Sequence, residues 1–340
     1  MKDNAQLQGV DGLVLGSGGN NTSYGSVAQR LMSNGFSVNA LRTNDVLRKE
    51  EWLLFDRVVV EVARPLLMGI SDLVASNLSV PIPDALGTTV VQWETASDMT
   101  PAEMDMSGTA GGQRDRQSFN LQQVPLPVIH KDFQLSLRNL HSGRRIGTPL
   151  DTSMASVATR RVADLLEATL FNGASLATAG SAAGAAATIY GYTTFTSRNT
   201  GTVTGSWVTA AGTTIVGDVL SMIAQLQAVN MFGPYRLYVS VAAYTNMLND
   251  FKTYASESTL ERILAIPGML SVKGTSQLTT STAVLVQMTS DVVDVLDGIQ
   301  PMTVMWETMG GLMVHFKVMA IMAPRLKADA DGRCGIAHWQ

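Results

Sequence analysis

The amino-acid sequence predicts an α+β fold. Segments with helical spacing of apolar residues are segregated from segments with strand-like alternation, without the βαβα order of a doubly wound sheet. A second observation is one long helix with clear end signals near the middle of the chain. A third is that no repeat recurs at the period of a solenoid. With 340 residues, the chain accommodates two domains or one elaborate domain with extensions.

The long helix is predicted over residues 148–172. Thr148 is a favourable N-cap, and Pro149 fits the first helical position, where an N–H has no partner in any case. Asp151 places an acid near the positive end of the helix dipole. Gly173 supplies the stop, because glycine adopts the left-handed cap conformation without a Cβ penalty.

One stripe of this helix is apolar and is expected to face the core. Its members are Leu150, Met154, Val157, Ala158, Val162, Leu165, Leu166 and Leu170. The charged residues lie mostly off the stripe, and they are Asp151, Arg160, Arg161, Asp164 and Glu167. We therefore expect Leu165→Asp to abolish folding, because it places a charge in the packed face.

The composition combines a sufficient core with an unusually neutral surface. Hydrophobic residues make up 46% of the chain and charged residues 15%, against roughly 25% in an ordinary soluble domain. A neutral surface suits a protein that buries its outside against copies of itself. The net charge of −4 gives no general basic character of the kind that nucleic-acid binders show. The single cysteine excludes an intramolecular disulfide, and we expect no signal peptide and no membrane span.

The N-terminal half is predicted to contain an arm, a helix and a β excursion. Residues 1–46 are rich in Gly, Asn, Ser and Thr and are expected to form an extended arm. A helix follows to about Asn77, and Pro65 should kink or split it. Strands are then predicted over residues 88–95, 118–121 and 128–137. Residues 98–117 between the first two strands form a polar tip, and such an excursion needs a surface to lie on.

The C-terminal half is predicted to alternate helices and strands. Helices are predicted over residues 212–230, 242–250 and 258–265, and strands over residues 236–241, 283–288, 291–296, 303–307 and 311–322. The apolar stripe of the first of these helices comprises Ile215, Val219, Met222, Ile223 and Leu226.

Common catalytic constellations are absent from the sequence. There are four histidines and one cysteine, and no H-E-x-x-H, C-x-x-C or G-x-S-x-G motif. His130 is expected to make a structural hydrogen bond, and Cys334 is expected to be an unpaired thiol rather than a nucleophile. Residues 329–332 imitate the start of a calcium loop, but Gln340 stands where the bidentate Glu belongs. We predict no enzyme activity, no cofactor and no metal site.

Charged residues beside and within the long helix are candidate interface residues. Arg144 and Arg145 precede the helix, and Arg160 and Arg161 lie within it. They are solvated or ion-paired with Asp164 and Glu167, or they meet acids on a neighbouring copy or phosphates on one face. The sequence leaves these alternatives open. The tip contributes four further candidates, Glu103, Asp105, Arg114 and Arg116.

The order of parts resembles the major capsid protein of tailed bacteriophages, with the Hong Kong 97 fold that encapsulin shell proteins share. The segments PLPVIHKDFQLSLRNL before the long helix and LEATLFNG at its end look like sequences of that family. The segment IYGYTTFTSRNTGTVTGSW looks like the stretch that leads into the axial domain of those proteins. The resemblance covers essentially the whole chain.

The resemblance implies a division of the chain. It comprises an N-terminal arm (1–46), the helical start of the peripheral domain (47–83), an extended loop (84–127), the peripheral domain with its spine helix 148–172 (128–207), an axial domain (208–296), and closing strands with the C-terminus (297–340). The extended loop would lie across an adjacent subunit. Some relatives cross-link through a lysine in this loop, but no lysine occurs between Lys49 and Lys131, so stabilisation is expected to be noncovalent.

The resemblance also implies a function. Pentamers and hexamers of the chain would form an icosahedral shell around the double-stranded DNA of a tailed phage, assembled in the host cytoplasm. The DNA contact would be weak and nonspecific, and portal, scaffold and decoration proteins are possible partners; no membrane is involved. The alternative is an encapsulin-like nanocompartment that holds a protein cargo. A third hypothesis is an enzyme with an unrecognised site.

Overall fold

The structure, a computed structural model, describes most of the chain after the N-terminal region. The described residues are 53, 57–63, 67–97, 99, 106, 116–146, 152–176, 187–251, 257–309 and 312–340. They divide into two compact units. The first unit is Met1–Thr89, Leu126–Leu170 and Val295–Ala323, and the second is Val90–Pro125, Phe171–Asp294 and Pro324–Gln340. No helix among the described residues is long and apolar enough to cross a membrane.

The described helices and strands follow one another as an α+β chain. In order they are α1 (Met68–Ala75), β1 (Ser79–Pro81), β2 (Val90–Ala96), β3 (Phe119–Pro125), β4 (Ile129–Ser136), α2 (Leu137–Ile146), α3 (Ser153–Asn172), β5 (Ala174–Leu176), β6 (Ala187–Ile189), β7 (Asn199–Gly201), α4 (Gly212–Gln227), β8 (Tyr235–Ser240), α5 (Val241–Met247), α6 (Thr259–Leu264), β9 (Met269–Thr275), β10 (Ala283–Gln287), β11 (Val293–Thr308), β12 (Met313–Leu326) and β13 (Ile336–Trp339).

The first unit is built on a four-stranded sheet with the order β1-β11-β12-β4. β1 runs parallel to β11, and β4 runs antiparallel to β12. The register places Phe133 opposite Phe316, and their rings stack with centroids 5.0 Å apart. Ala155 of α3 packs with Phe316 and Met305, so the helix lies on the face of the sheet that carries the aromatic pair.

The second unit is built on a five-stranded sheet with the order β7-β13-β10-β8-β9. All residues of β10 are buried, as expected of a central strand. The predicted apolar stripe of α4 is buried in this core, and it comprises Ile215, Val219, Met222, Ile223 and Leu226. Asp218 of the same helix is buried too, because Trp207 Nε1, Thr204 N and Thr204 Oγ1 donate to its carboxylate at 2.7–2.8 Å.

Most predicted elements of the second unit overlap the observed ones, but several observed elements were missed. The sequence analysis did not predict α2, the β5–β6 pair or the strands β1, β7, β9 and β13. The predicted split near Pro65 is confirmed by the residues around it: residues 57–63 are helical, α1 begins at Met68, and Leu67 between them is not helical. Pro65 itself lies outside the described residues.

The long helix α3 begins at Ser153 in the described part of the chain. The predicted cap residues Thr148, Pro149 and Asp151 lie outside the described residues, and Thr152 is not helical. The predicted end is confirmed, because the helix stops at Asn172 and Gly173 has a φ of +73°. A Cβ at Gly173 would lie 2.4 Å from the carbonyl oxygen of Ile189, so close approach of the backbone also requires glycine.

The predicted buried face of α3 was partly wrong. Met154, Val157 and Leu165 are exposed, whereas Ala158, Val162, Leu166 and Leu170 are buried as predicted. Small residues account for the difference, because Ala155, Thr159 and Ala163 let the helix approach its neighbours closely on the opposite side. Both sides of the helix carry apolar residues, so helical spacing alone did not identify the packed one.

Glu167 was predicted to lie off the packed face, and this was also wrong. The side chain is buried, and its Oε1 accepts a hydrogen bond of 2.6 Å from the Gly69 N–H in the first turn of α1. α1 has no side-chain cap of its own. A carboxylate is favoured at a helix N-terminus, so Glu167 supplies the acceptor that the local sequence of α1 lacks.

The expectation for Leu165→Asp is therefore replaced by a paired prediction. Leu165 is 52% exposed and Leu166 is 2% exposed. Leu166→Asp should cost more than about 4 kcal/mol and give insoluble or unfolded protein, because it buries an unpaired charge. Leu165→Asp should cost about 1 kcal/mol or less. Circular dichroism and urea denaturation of the two variants measure the difference, and equal loss of structure would contradict this assignment of the faces.

His338 in β13 makes the second unit sensitive to pH. Its Nδ1 accepts a hydrogen bond of 3.2 Å from Arg198 Nε. Burial of the imidazole, together with the nearby Arg198 guanidinium, lowers the pKa of His338 below its ordinary value of 6.5. Protonation would remove the acceptor and bring two cations together, so the folded state holds the neutral ring.

Stability should accordingly fall as the pH drops below 6.5, the ordinary pKa of the imidazole. In that range the unfolded chain binds a proton at this imidazole and the folded chain does not. The free energy of unfolding therefore falls by up to about 1.4 kcal/mol per pH unit. His338→Asn keeps an acceptor for Arg198 but does not titrate. Urea denaturation at pH 7.5 and 5.5 should therefore show a larger loss in the wild type than in the variant, and equal losses would refute the assignment.

Candidate assembly surface

The hairpin formed by β2 and β3 projects two distinct faces. The strands pair antiparallel, with Val90 opposite Pro125 and Ala96 opposite Phe119. Two hydrogen bonds of 2.9 Å between Ser97 and Ser118 continue the pairing beyond the strands. Because side chains alternate along a strand, directly opposite residues share a face. We name the side of Trp93 the inward face and the side of Phe119 the outward face.

The outward face exposes large apolar side chains. Phe119 is 65% exposed, Leu121 is 57% exposed, and Val90 on the same face is exposed as well. A two-stranded ribbon is marginally stable in water on its own, and the described part of the chain leaves these side chains uncovered. Exposed apolar patches of this kind mark surfaces that contact another protein. The outward face is thus a candidate contact surface.

The inward face rests on a buried group of charges. Asp294 is 2% exposed. It accepts hydrogen bonds from Arg325 Nε at 2.8 Å and Arg325 Nη2 at 2.5 Å, and Lys327 Nζ lies 2.7 Å from its Oδ2. The Arg325 guanidinium carbon lies 5.4 Å from the centre of the Trp93 ring. We name these four residues the hairpin clamp.

Two opposing contributions act at the tryptophan of the hairpin clamp. Removing either cation from the buried Asp294 would be costly, because a buried charge needs its partners. A cation–π contact contributes about 0.5–2 kcal/mol. Within the described chain, the buried Trp93 Nε1 has no hydrogen-bond partner, which costs about 1–3 kcal/mol. The anchor on the Asp294 side is therefore firm, whereas the missing hydrogen bond weakens the attachment of Trp93 to it.

Further apolar side chains are exposed on other elements. On α3 they form a stripe at helical spacing, comprising Met154, Val157 and Leu165. On the second unit they include Phe232, Val241, Leu248, Leu264 and Leu270. Single exposed apolar residues are ordinary in any protein. The stripe on α3 and the pair of Phe119 and Leu121 on the outward face differ from them, because their members are neighbours on one face.

The sequence-predicted interface residues occupy exposed positions where the structure describes them. Arg160 and Arg161 are exposed on α3, Arg145 is exposed on α2, and Arg116 is exposed just before β3. Arg144 lies in α2. Glu103, Asp105 and Arg114 lie outside the described residues. The ion pairs found within the described ranges do not include Arg116, Arg145, Arg160 or Arg161, and the role of these arginines stays a prediction.

Residues considered for catalysis or metal binding have structural contacts instead. His130 Nδ1 lies 3.2 Å from Asp132 Oδ1, which is the structural hydrogen bond that the sequence analysis expected. Burial raises the pKa of the Cys334 thiol to about 12, so it stays protonated. In the calcium-like turn, Asp329 Oδ1 accepts from the Arg333 N–H at 2.6 Å. The described residues contain no cluster of His, Cys, Asp and Glu that could hold a metal ion.

The chain belongs to DUF6260, described as a family of unknown function, whose pattern matches residues 39–339. It is also similar to the type 1 encapsulin shell protein EncA of Myxococcus xanthus (strain DK1622). The two sequences are 26% identical over 246 residues, which span 69% of this chain and 77% of EncA.

Solved shell structures share the fold. The virus-like particle from Pyrococcus furiosus matches with a TM-score of 0.56 and 16% identity over 82% of this chain and 98% of that chain. The capsid of Myoviridae phage XM1 matches with a TM-score of 0.57 and 10% identity over 74% of this chain and 85% of that chain. The α+β fold of this chain is of the Hong Kong 97 capsid type, so the predicted fold class and resemblance are confirmed.

Proposed function

We propose that this chain is a structural protein that assembles in many copies into a closed shell. The observation that carries the proposal is the outward face of the hairpin, which exposes Phe119, Leu121 and Val90 on a ribbon that cannot cover them itself. A second copy of the chain supplies the missing cover. The capsid-type fold and the similarity to an encapsulin shell protein support the same assignment.

The proposed division of labour follows the resemblance. Residues 84–127 act as the extended loop that lies across an adjacent copy, residues 208–296 act as the axial domain, residues 47–83, 128–207 and 297–340 act as the peripheral domain, and residues 1–46 act as an arm. The exposed arginines Arg116, Arg145, Arg160 and Arg161 serve as contacts to acids on neighbouring copies. The low charged fraction supports extensive contact between copies.

Our finer proposal is the major capsid protein of a tailed phage. Pentamers and hexamers of the chain would enclose double-stranded DNA in the virion, with portal, scaffold and decoration proteins as further partners. The fold of the phage XM1 capsid supports it. The net charge of −4 is compatible with it, because a packaged genome needs a surface that does not bind phosphate tightly.

The second candidate is a nanocompartment shell that holds a protein cargo. The similarity to EncA is the observation that favours it. Nucleic acid that copurifies with intact particles and resists nuclease supports the phage capsid. Particles that contain a copurifying protein and no nucleic acid support the nanocompartment.

Assembly should depend on the outward face. Phe119→Asp combined with Leu121→Asp places two negative charges where another copy is proposed to pack, while the exposed positions let each chain fold. Sedimentation velocity should then give slow-sedimenting subunits or capsomers, whereas the wild type gives particles. Asn120→Asp, on the inward side of the same strand, is the matched control and should still assemble. Particles from the double variant would refute the role of the outward face.

The tip between the strands should be needed for closure and not for folding. Replacing residues 98–116 with a short glycine–serine linker should preserve the fold, because Ser97 and Ser118 already pair closely. The variant should keep its wild-type circular dichroism but form no stable closed shells in negative-stain images. Normal shells would show that residues 84–127 do not act as the extended loop.

A further inference from the structure

We infer that Arg325 is a positioning residue that holds the hairpin through Trp93 in a releasable way and so sets the direction in which the hairpin projects. The inference rests on the proposed function in that the hairpin is the part that contacts a neighbouring copy. The contacts that carry it lie within the second unit, in the hairpin clamp.

The Arg325 guanidinium is held in place by contacts that do not involve the hairpin. Two nitrogens of the Arg325 guanidinium donate to the two oxygens of the buried Asp294, at 2.8 and 2.5 Å. This bidentate geometry fixes the plane of the guanidinium as well as its position. Lys327 Nζ adds a third contact to the same carboxylate at 2.7 Å and donates to the Ser290 carbonyl at 2.7 Å. The guanidinium is therefore a rigid platform.

The hairpin meets this platform through one aromatic ring. Trp93 lies in β2 on the inward face, and its ring centre lies 5.4 Å from the guanidinium carbon. Towards the root of the hairpin, Val124 is buried. Towards the tip, Phe119 and Leu121 are exposed. Trp93 thus lies between the buried and the exposed parts of the hairpin, where its contact with Arg325 can influence the direction of β2 and β3.

The tryptophan is held by its face while its N–H is unsatisfied. Trp93 Nε1 is buried and makes no hydrogen bond within the residues that the structure describes. When the ring leaves the platform, the N–H gains a hydrogen bond to water, which offsets the lost cation–π contact. The missing hydrogen bond therefore reduces the free energy by which the held position of the hairpin is favoured. A neighbouring copy that packs on the outward face can select between the held and released positions.

Hydrogen exchange on the full-length, unassembled chain tests the inference. If the chain forms particles, the Phe119→Asp and Leu121→Asp changes keep it unassembled. Trp93→Leu removes the aromatic face, and the amides of residues 90–96 and 119–125 should exchange at least about tenfold faster. Trp93→Phe keeps an aromatic face and removes the unsatisfied N–H, so exchange should stay within about threefold of the wild type. The amides of β8 and β10 report global opening and should not change in either variant.

Two results would overturn the inference. One is unchanged exchange of the hairpin in Trp93→Leu. The other is equally fast exchange in Trp93→Phe and Trp93→Leu, which would indicate that ring volume and not the aromatic contact matters. The exchange result is independent of assembly, so wild-type protein that never forms particles would refute the proposed function and leave the inference to be decided by exchange alone.

The same variants give a second readout in assembled protein. With Phe119 and Leu121 restored, Trp93→Leu should broaden the distribution of particle diameters in electron micrographs, because the released hairpin meets its neighbour at variable angles. Trp93→Phe should give the wild-type distribution. A wild-type distribution in both variants would contradict a role for Arg325 in directing the hairpin.

Discussion

Each strand of a two-stranded ribbon pairs with only one other strand, and the proposed function of the molecule depends on this constraint. Among the described strands, β2 and β3 pair only with each other, yet they carry Phe119 and Leu121 on the outward face. The hydrophobic effect favours covering such side chains, and the ribbon offers no means of doing so within itself. In the proposed function, a second copy of the chain supplies this cover.

The contacts of the inward face show how the hairpin is held in its position. A buried carboxylate is acceptable only with its cations in place, and Asp294 has both Arg325 and Lys327. That requirement fixes the guanidinium on which Trp93 lies. A rigid anchor with a weak attachment suits a subunit that must fit slightly different neighbours in pentamers and hexamers, which the proposed function requires.

Local sequence signals predicted the elements that depend on local physics. The stripe of α4, the end of α3 at Gly173 and the break near Pro65 follow from helical spacing, glycine conformation and proline geometry. The packed face of α3 could not be predicted from helical spacing, because both sides of the helix carry a leucine. Leu165 lies on the exposed side and Leu166 on the buried side. Glu167 is buried because of Gly69, which lies 98 residues away in sequence.

The candidate site was predictable only in outline. Strand-like alternation around a polar tip predicted the hairpin and its need for a supporting surface. The hairpin clamp joins Trp93 to Arg325 and Asp294, which no local pattern connects, and the proposed interface arginines were chosen for exposure and charge alone. The resemblance of segment order, and not any single residue, predicted the capsid-type fold.

Negative-stain electron microscopy of the purified wild-type chain, with the particle mass measured on the same sample, tests the central claim most directly. We predict closed particles of uniform curvature whose mass corresponds to many copies of the 36.3 kDa chain. The contradicting result is a monodisperse monomer or dimer at every salt concentration, even when the proteins co-expressed with this chain in its native source are present. That result would contradict the assignment of this chain as a shell subunit.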